Sequence, residues 1–268
     1  MTIARTTGIC AAAATVLLAS GLTACSKDDD QTAPAGTSTV HVTVTDSASG
    51  DAGQGSGDGQ GSGGGQGSGD TTAAGTGQEA ATQVVTVIAV GADGQPRDGW
   101  SVSADAPGQV QCGAPAYSTR SATTGGMYDC TPNAAGAHTC WPAKPGDTGL
   151  LCAFDPWETV LHRFTADAPL TPVTRPDDPW PWALELADGT RCTLRYGGAW
   201  GGRSDDLRGA YGCSGTDDVV LTEVNQNPVG SSAAQWTVRV GQLGSGTPDL
   251  PAPTVVGVTT AYFTAAEQ

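Results

Sequence analysis

The chain has 268 residues, with 12 Lys+Arg against 27 Asp+Glu and a formal charge of −15. That balance argues against a nucleic-acid partner and against docking on anionic lipid through a basic patch, because both need clustered Lys and Arg. Gly is abundant at 39 residues and unevenly spread, so the apolar residues that can build a core are confined to part of the chain.

Arg5 is the only charge before an apolar run from Gly8 to Leu22, which ends in Leu22-Thr23-Ala24-Cys25. A charged start, a short apolar centre and a small-residue junction describe a secretory signal peptide over residues 1–24. At about 15 residues the run is shorter than the roughly 20 of a spanning helix. Ending it at Cys resembles the bacterial lipobox, which implies acylation of Cys25 as the first mature residue. The expected location is the extracytoplasmic face of a cell membrane, held by an N-terminal lipid such as palmitate. An ordinary cleaved signal is the alternative, and it gives Cys25 no task. Cys10 falls in the discarded segment.

Residues 25–82 are mostly Gly, Ser, Asp, Gln, Thr and Ala, and Asp51 to Asp70 is nearly pure Gly/Ser/Gln/Asp. Such a stretch has little to bury against its ordering entropy, so it reads as a hydrophilic linker. Its expected root-mean-square span is on the order of 40 Å. One island, Thr39-Val40-His41-Val42-Thr43-Val44-Thr45, alternates as a half-buried strand would. Docking of that island on the main domain stays open.

Residues 83–268 read as a β-rich extracytoplasmic domain with at most one short helix. Val84 to Val90 is a β-branched run of the kind expected for a strand covered on both faces, with a turn at Gly91-Ala92-Asp93-Gly94. Cys112, Cys130, Cys140, Cys152, Cys192 and Cys213 form an even set, which in an exported chain implies disulfides. Local pairing is expected: 112–130, 140–152 and 192–213. A zinc site fails on spacing, since no Cys-x-x-Cys occurs.

Asp155-Pro156-Trp157-Glu158 has the caps of a helix start, and Trp157, Val160, Leu161 and Phe164 follow at helical spacing. A short helix or single turn is expected, with a strand from Thr159 as the alternative. Trp182 to Tyr196 reads as a hairpin. A three-residue loop, Ala187-Asp188-Gly189, pairs Leu184 with Cys192 and Trp182 with Leu194, and puts Gly189 at the left-handed position. Strands are further expected at Val219–Val224, at Gln235–Val240 with Trp236, Val238 and Val240 on one face, and at Val255–Phe263 as the closing strand. A faint echo of Tyr128-Asp129-Cys130 in Tyr211-Gly212-Cys213, with a Pro-rich stretch between, raises two related β lobes, 83–170 and 178–268.

Asp155-Pro156-Trp157, Pro181 to Cys192, and Trp236-Thr237-Val238 resemble a family of lipoproteins from mycobacteria and related actinobacteria. The resemblance covers most of the chain after the linker. It implies a cell type and lipidation at Cys25, and no activity.

Catalytic signatures are missing: neither Gly-x-Ser-x-Gly nor His-Glu-x-x-His occurs. His138 and His162 are the domain's histidines, and nothing pairs them with a nucleophile. Asp177-Asp178, Asp205-Asp206 and Asp217-Asp218 lie beside turn residues without calcium-loop spacing. No cofactor or metal is expected. The sharper feature is Trp200 among glycines, followed by Arg203, Asp205 and Asp206, an aromatic platform with hydrogen-bonding partners that could contact a ligand; packing is the rival role. Taken together, these features favour a binding or interaction protein whose partner is a cell-wall glycan or an envelope protein. The alternatives are a hydrolase on envelope glycans and an accessory lipoprotein of an envelope complex.

Overall fold

A computed structural model describes residues 80–144, 146–198, 201–246 and 248–267. All of them fall within one compact unit. Cys25, the 39–45 island and Trp200 lie outside the described residues. Among those residues no helix is long and apolar enough to cross a membrane.

In chain order the strands begin with β1 (Gln83–Val87), β2 (Ser101–Val102), β3 (Gly108–Val110), β4 (Tyr117–Ser118), β5 (Tyr128–Asp129), β6 (Cys140–Pro142) and β7 (Gly149–Cys152). They continue with β8 (Val160–Ala166), β9 (Ala183–Leu186), β10 (Arg191–Leu194), β11 (Arg208–Cys213), β12 (Val219–Thr222), β13 (Trp236–Gly241) and β14 (Thr254–Thr264). The protein is mainly β, as its sequence predicts, with one 3₁₀ turn among the described residues, at Asn133–Ala135.

The strands β9 to β14 form an antiparallel barrel. Each pairs with the next, and β14 closes the ring by pairing with β9. Leu184, Leu186, Val220, Val238, Val258 and Ala261 fill its interior. The β9–β10 hairpin has the predicted register, with Leu184 opposite Cys192, and Leu186 N bonds Thr190 O across the three-residue loop. Gly189 sits at φ 85°. The closing strand β14 is long enough to serve several neighbours. β13 pairs with its residues 254–258, β9 with 258–262, and β1 runs parallel to 260–264. Because β9 and β1 share residues 260–262, β1 must lie on the edge that β13 vacates. Thr82 stitches that junction: its hydroxyl donates to Val258 O at 2.6 Å and accepts from Trp236 N at 2.7 Å.

The second sheet centres on β8. β7 runs antiparallel along one edge, and β2 and then β3 run parallel along the other. Beyond β7 come β6, β5 and β4. Both faces are covered, which is why β7 has no polar residue. Leu150 and Cys152 pack with Val110, Tyr128 and Phe164, whereas Leu151 joins Trp141, Leu161 and Trp182 on the face toward the barrel.

The three disulfides are the locally paired ones: Cys112–Cys130, Cys140–Cys152 and Cys192–Cys213. The latter two join residues directly opposite each other, on β6–β7 and on β10–β11.

One expectation changes. The Val84–Val90 run is not covered on both faces: Val84 is 37% exposed and Val85 is 7% exposed, because β1 is the outermost of the described strands in its sheet. It also joins the barrel rather than the sheet formed by the residues that follow it. The capping chemistry at Asp155 is real, with its Oδ1 accepting from Trp157 N and Glu158 N, and of the two expected forms it holds the single turn. Thr159, at φ 50°, ends that turn and β8 begins one residue later.

Candidate ligand-binding cleft

Of the residues singled out in the sequence after Trp200, Arg203 is buried while Asp205 and Asp206 are exposed. The Arg203 side chain is 1% exposed. Its Nε and Nη2 both bond the Asp205 carboxylate, at 2.9 and 2.8 Å. Nη1 donates to Gln242 O at 3.0 Å, and Nη2 also donates to Pro251 O at 2.8 Å. A buried guanidinium must be paired, and this one pins the 242–251 loop to the 202–206 turn. The Arg203 bonds hold the Asp205 carboxyl below the usual carboxylate range. Asp206 is an exposed turn residue at φ 59° whose N–H donates to Arg203 O.

The two domain histidines also have packing roles. His138 is buried; its Nδ1 faces Asp129 Oδ1 at 2.7 Å and its Nε2 faces Asn133 O at 3.2 Å, so both ring nitrogens are engaged within the protein. Its ring stacks on Tyr196 at 4.1 Å. Burial pushes the Tyr196 hydroxyl up to about 12. His162 stacks on Phe154 at 4.2 Å. Among the described residues no three His, Cys, Asp or Glu side chains gather as a metal site would require.

A cleft of about 720 Å³ opens instead beside β1. One wall is the run Val85, Thr86, Val87 and Ile88. Side chains of a strand alternate between faces, so four consecutive lining residues mean that the strand's edge itself is the wall. Residues of the 91–98 loop, Trp100, Pro156, Thr159, Tyr262 and Glu267 also line the cleft.

Each wall has a local cause. The loop turns through Gly94 N to Gly91 O and Gly91 N to Gln95 O, and Asp93 Oδ1 accepts from Gln95 N at 3.0 Å. Gly94 is required there: its φ is 76°, and a Cβ would meet Ala143 O at 1.5 Å. Glu267, just after β14, ties the loop down by pairing with Arg97 and accepting from Ala92 N at 2.8 Å. Trp100 rests on Trp141, with ring centroids 6.4 Å apart. The Asp155 turn carries Trp157 edge-on to Tyr262 at 5.7 Å. Trp157 Nε1 donates to Glu185 Oε1 at 2.9 Å, and the Arg191 guanidinium lies 5.0 Å over the Trp157 ring. Burial, reinforced by the Glu185 charge, raises the Tyr262 hydroxyl above its ordinary value.

The cleft therefore combines aromatic rings, a polar loop and a strand edge that no described strand pairs with. Sequence reasoning identified its strand and its turn separately. It missed their meeting with Tyr262 and Glu267, which lie more than 160 positions further along the chain. The available signal was the run Gln83–Ile88 itself, which has no Pro, Gly or charged residue to close an edge.

No family model matches the chain, and neither the curated proteins nor the solved structures contain a match to it.

Proposed function

We propose that this protein is a binding module of a bacterial cell envelope, held at the extracytoplasmic face of the membrane by a lipid on Cys25, with the β1 cleft as its binding site. The observation that carries the binding reading is the cleft, whose volume of about 720 Å³ is in the range of small-molecule and peptide sites. Its aromatic and charged lining supports recognition. The anchor reading rests on the Leu22-Thr23-Ala24-Cys25 junction and on the resemblance to actinobacterial lipoproteins. The Gly/Ser-rich segment between them supplies reach from the membrane to the wall or to neighbouring envelope proteins.

The test uses full-length protein expressed in a bacterium that processes lipoproteins. Cys25→Ser moves the protein from the membrane fraction to the soluble extracytoplasmic fraction; unchanged membrane retention overturns the anchor. In envelope extracts, an Asp93→Arg/Asp98→Arg variant with an unaltered melting curve loses the component that the parent protein retains. Equal recovery by both overturns the cleft as the site.

A further inference from the structure

We propose that the free edge of β1 accepts an additional β-strand from an extended, cationic polypeptide, which lies in the cleft between β1 and the 91–98 loop. This rests on the cleft being the binding site and names the class of partner.

The direction of the edge groups follows from one bond. Ala265 N donates to Val87 O, so in this parallel pair Val87 turns its backbone groups toward β14, and so do Val85 and Gln83. The N–H and C=O of Thr86 and Val84 therefore point away from β14. Among the described residues no strand pairs with that side of β1. Natural edges are usually blunted by charge, Pro, a bulge or a covering segment. Gln83–Ile88 has none of the first two, no bulge interrupts its five-residue pairing with β14, and the space beside it is open cleft. Strand addition is the recognition mode that uses such a row of donors and acceptors.

Charge selects the partner's sign. The charged residues lining the cleft are Asp93, Arg97, Asp98 and Glu267. Arg97 and Glu267 neutralise each other. Asp93 and Asp98 have no ion pair among the described residues, and both are exposed. A strand laid along β1 thus passes two carboxylates, which favours Lys or Arg at its exposed positions.

The experiment titrates full-length protein with fluorescein-labelled peptide KVTVTVK and its acidic counterpart EVTVTVE. The cationic peptide binds, and a ¹³C-carbonyl label in it shifts to the β-sheet amide I position on binding. Thr86→Pro removes an outward N–H that β14 does not use, so the fold survives while affinity falls about tenfold or more. Val84→Lys places a charge on the same edge and is the second variant should Thr86→Pro melt early; it lowers affinity in the same direction. Asp93→Asn/Asp98→Asn weakens binding at low salt and flattens its salt dependence. The proposal is overturned if KVTVTVK does not bind, if EVTVTVE binds equally, or if the edge variants bind like the parent. It is also overturned if chito-oligosaccharides occupy the cleft in its place, if the chain dimerises through this edge, or if the peptide binds only after deletion of residues 39–45. In the glycan case the cleft remains a binding site and the proposed function stands without the peptide partner.

Discussion

Arg203 shows how a single buried charge organises its surroundings. Its guanidinium meets one carboxylate and two carbonyls from the 242–251 loop. Arg203→Ala leaves those acceptors without their donor, and urea unfolding should show a loss of roughly 1–3 kcal/mol. Arg203→Lys should recover only part of it, since an ammonium cannot match the fork. Acid stability follows from the same logic. Asp205 is lowered by Arg203, Asp167 by the N–H groups of Cys112 and Gly113, and Asp188 by that of Thr190. Carboxyls lowered in the folded state stabilise it above their unfolded value, about pH 4, and that contribution is lost as pH falls further. The unfolding midpoint should therefore decline below about pH 4, and less steeply in Asp167→Asn. On the alkaline side the sign reverses in pH. Tyr196 is pushed up to about 12 and Tyr211 also well above its ordinary value, so the unfolded chain ionises first and stability falls from about pH 10 upward. Absorbance at about 295 nm should show the buried tyrosines ionising together with unfolding, and their complete titration before unfolding would contradict this.

At the scale of elements, local pattern and local chemistry agree best in the β9–β10 hairpin. Leu184, Leu186, Cys192 and Leu194 must face one core, and only the three-residue loop satisfies them together with a left-handed Gly189. No heavy atom lies within contact distance of a Cβ added at Gly189, so Gly189→Ala should lose about 1 kcal/mol from backbone strain alone, and Gly189→Asn less. Thermal melts of the two variants check the order. The turn at Asp155 shows the opposite case. Its cap residues were legible, but Val160 to Ala166 had to meet β7 on one side and β2 and β3 on the other, and those partners are distant in sequence. Strand pairing outweighs a helical spacing of four apolar residues, and the cap survives as an isolated turn. The junction at Thr82 could not be anticipated, because its hydroxyl joins β13 and β14 across more than 150 positions. Thr82→Ala should cost about 1–2 kcal/mol and loosen β1 first, visible as faster amide exchange at Val85 and Val87.

For the molecule as a whole, the disulfides brace the two sheets separately: two lie in the region from 112 to 152 and the third within the barrel. Joining Cys192 to Cys213 closes a loop of 21 residues, so Cys192→Ala/Cys213→Ala should lower stability by roughly 3 kcal/mol in denaturant titrations. The barrel and the second sheet meet through Trp141, Trp182, Met127 and Leu161, and the cleft opens beside that junction. Trp200 drew notice as an aromatic among glycines, yet Arg203 after it turns inward, while Asp205 and Asp206 stay exposed. The cleft residues drew little notice singly, since a β-branched strand, a Gly-Asp turn and one Tyr are ordinary features.

Composition and short-range pattern were enough for the β class, the hairpin register and the acidic character, and they favoured the local cystine pairs that the structure then fixed. Each of these is set by residues close in sequence, through alternation, turn chemistry and short loop closure. Which strand ended as an unpaired edge, where Arg203 pointed and which loop faced Tyr262 were settled only in three dimensions. β14 closes the barrel with β9 and then offers its remaining length to β1, and no local pattern encodes how one strand divides its two edges among three partners.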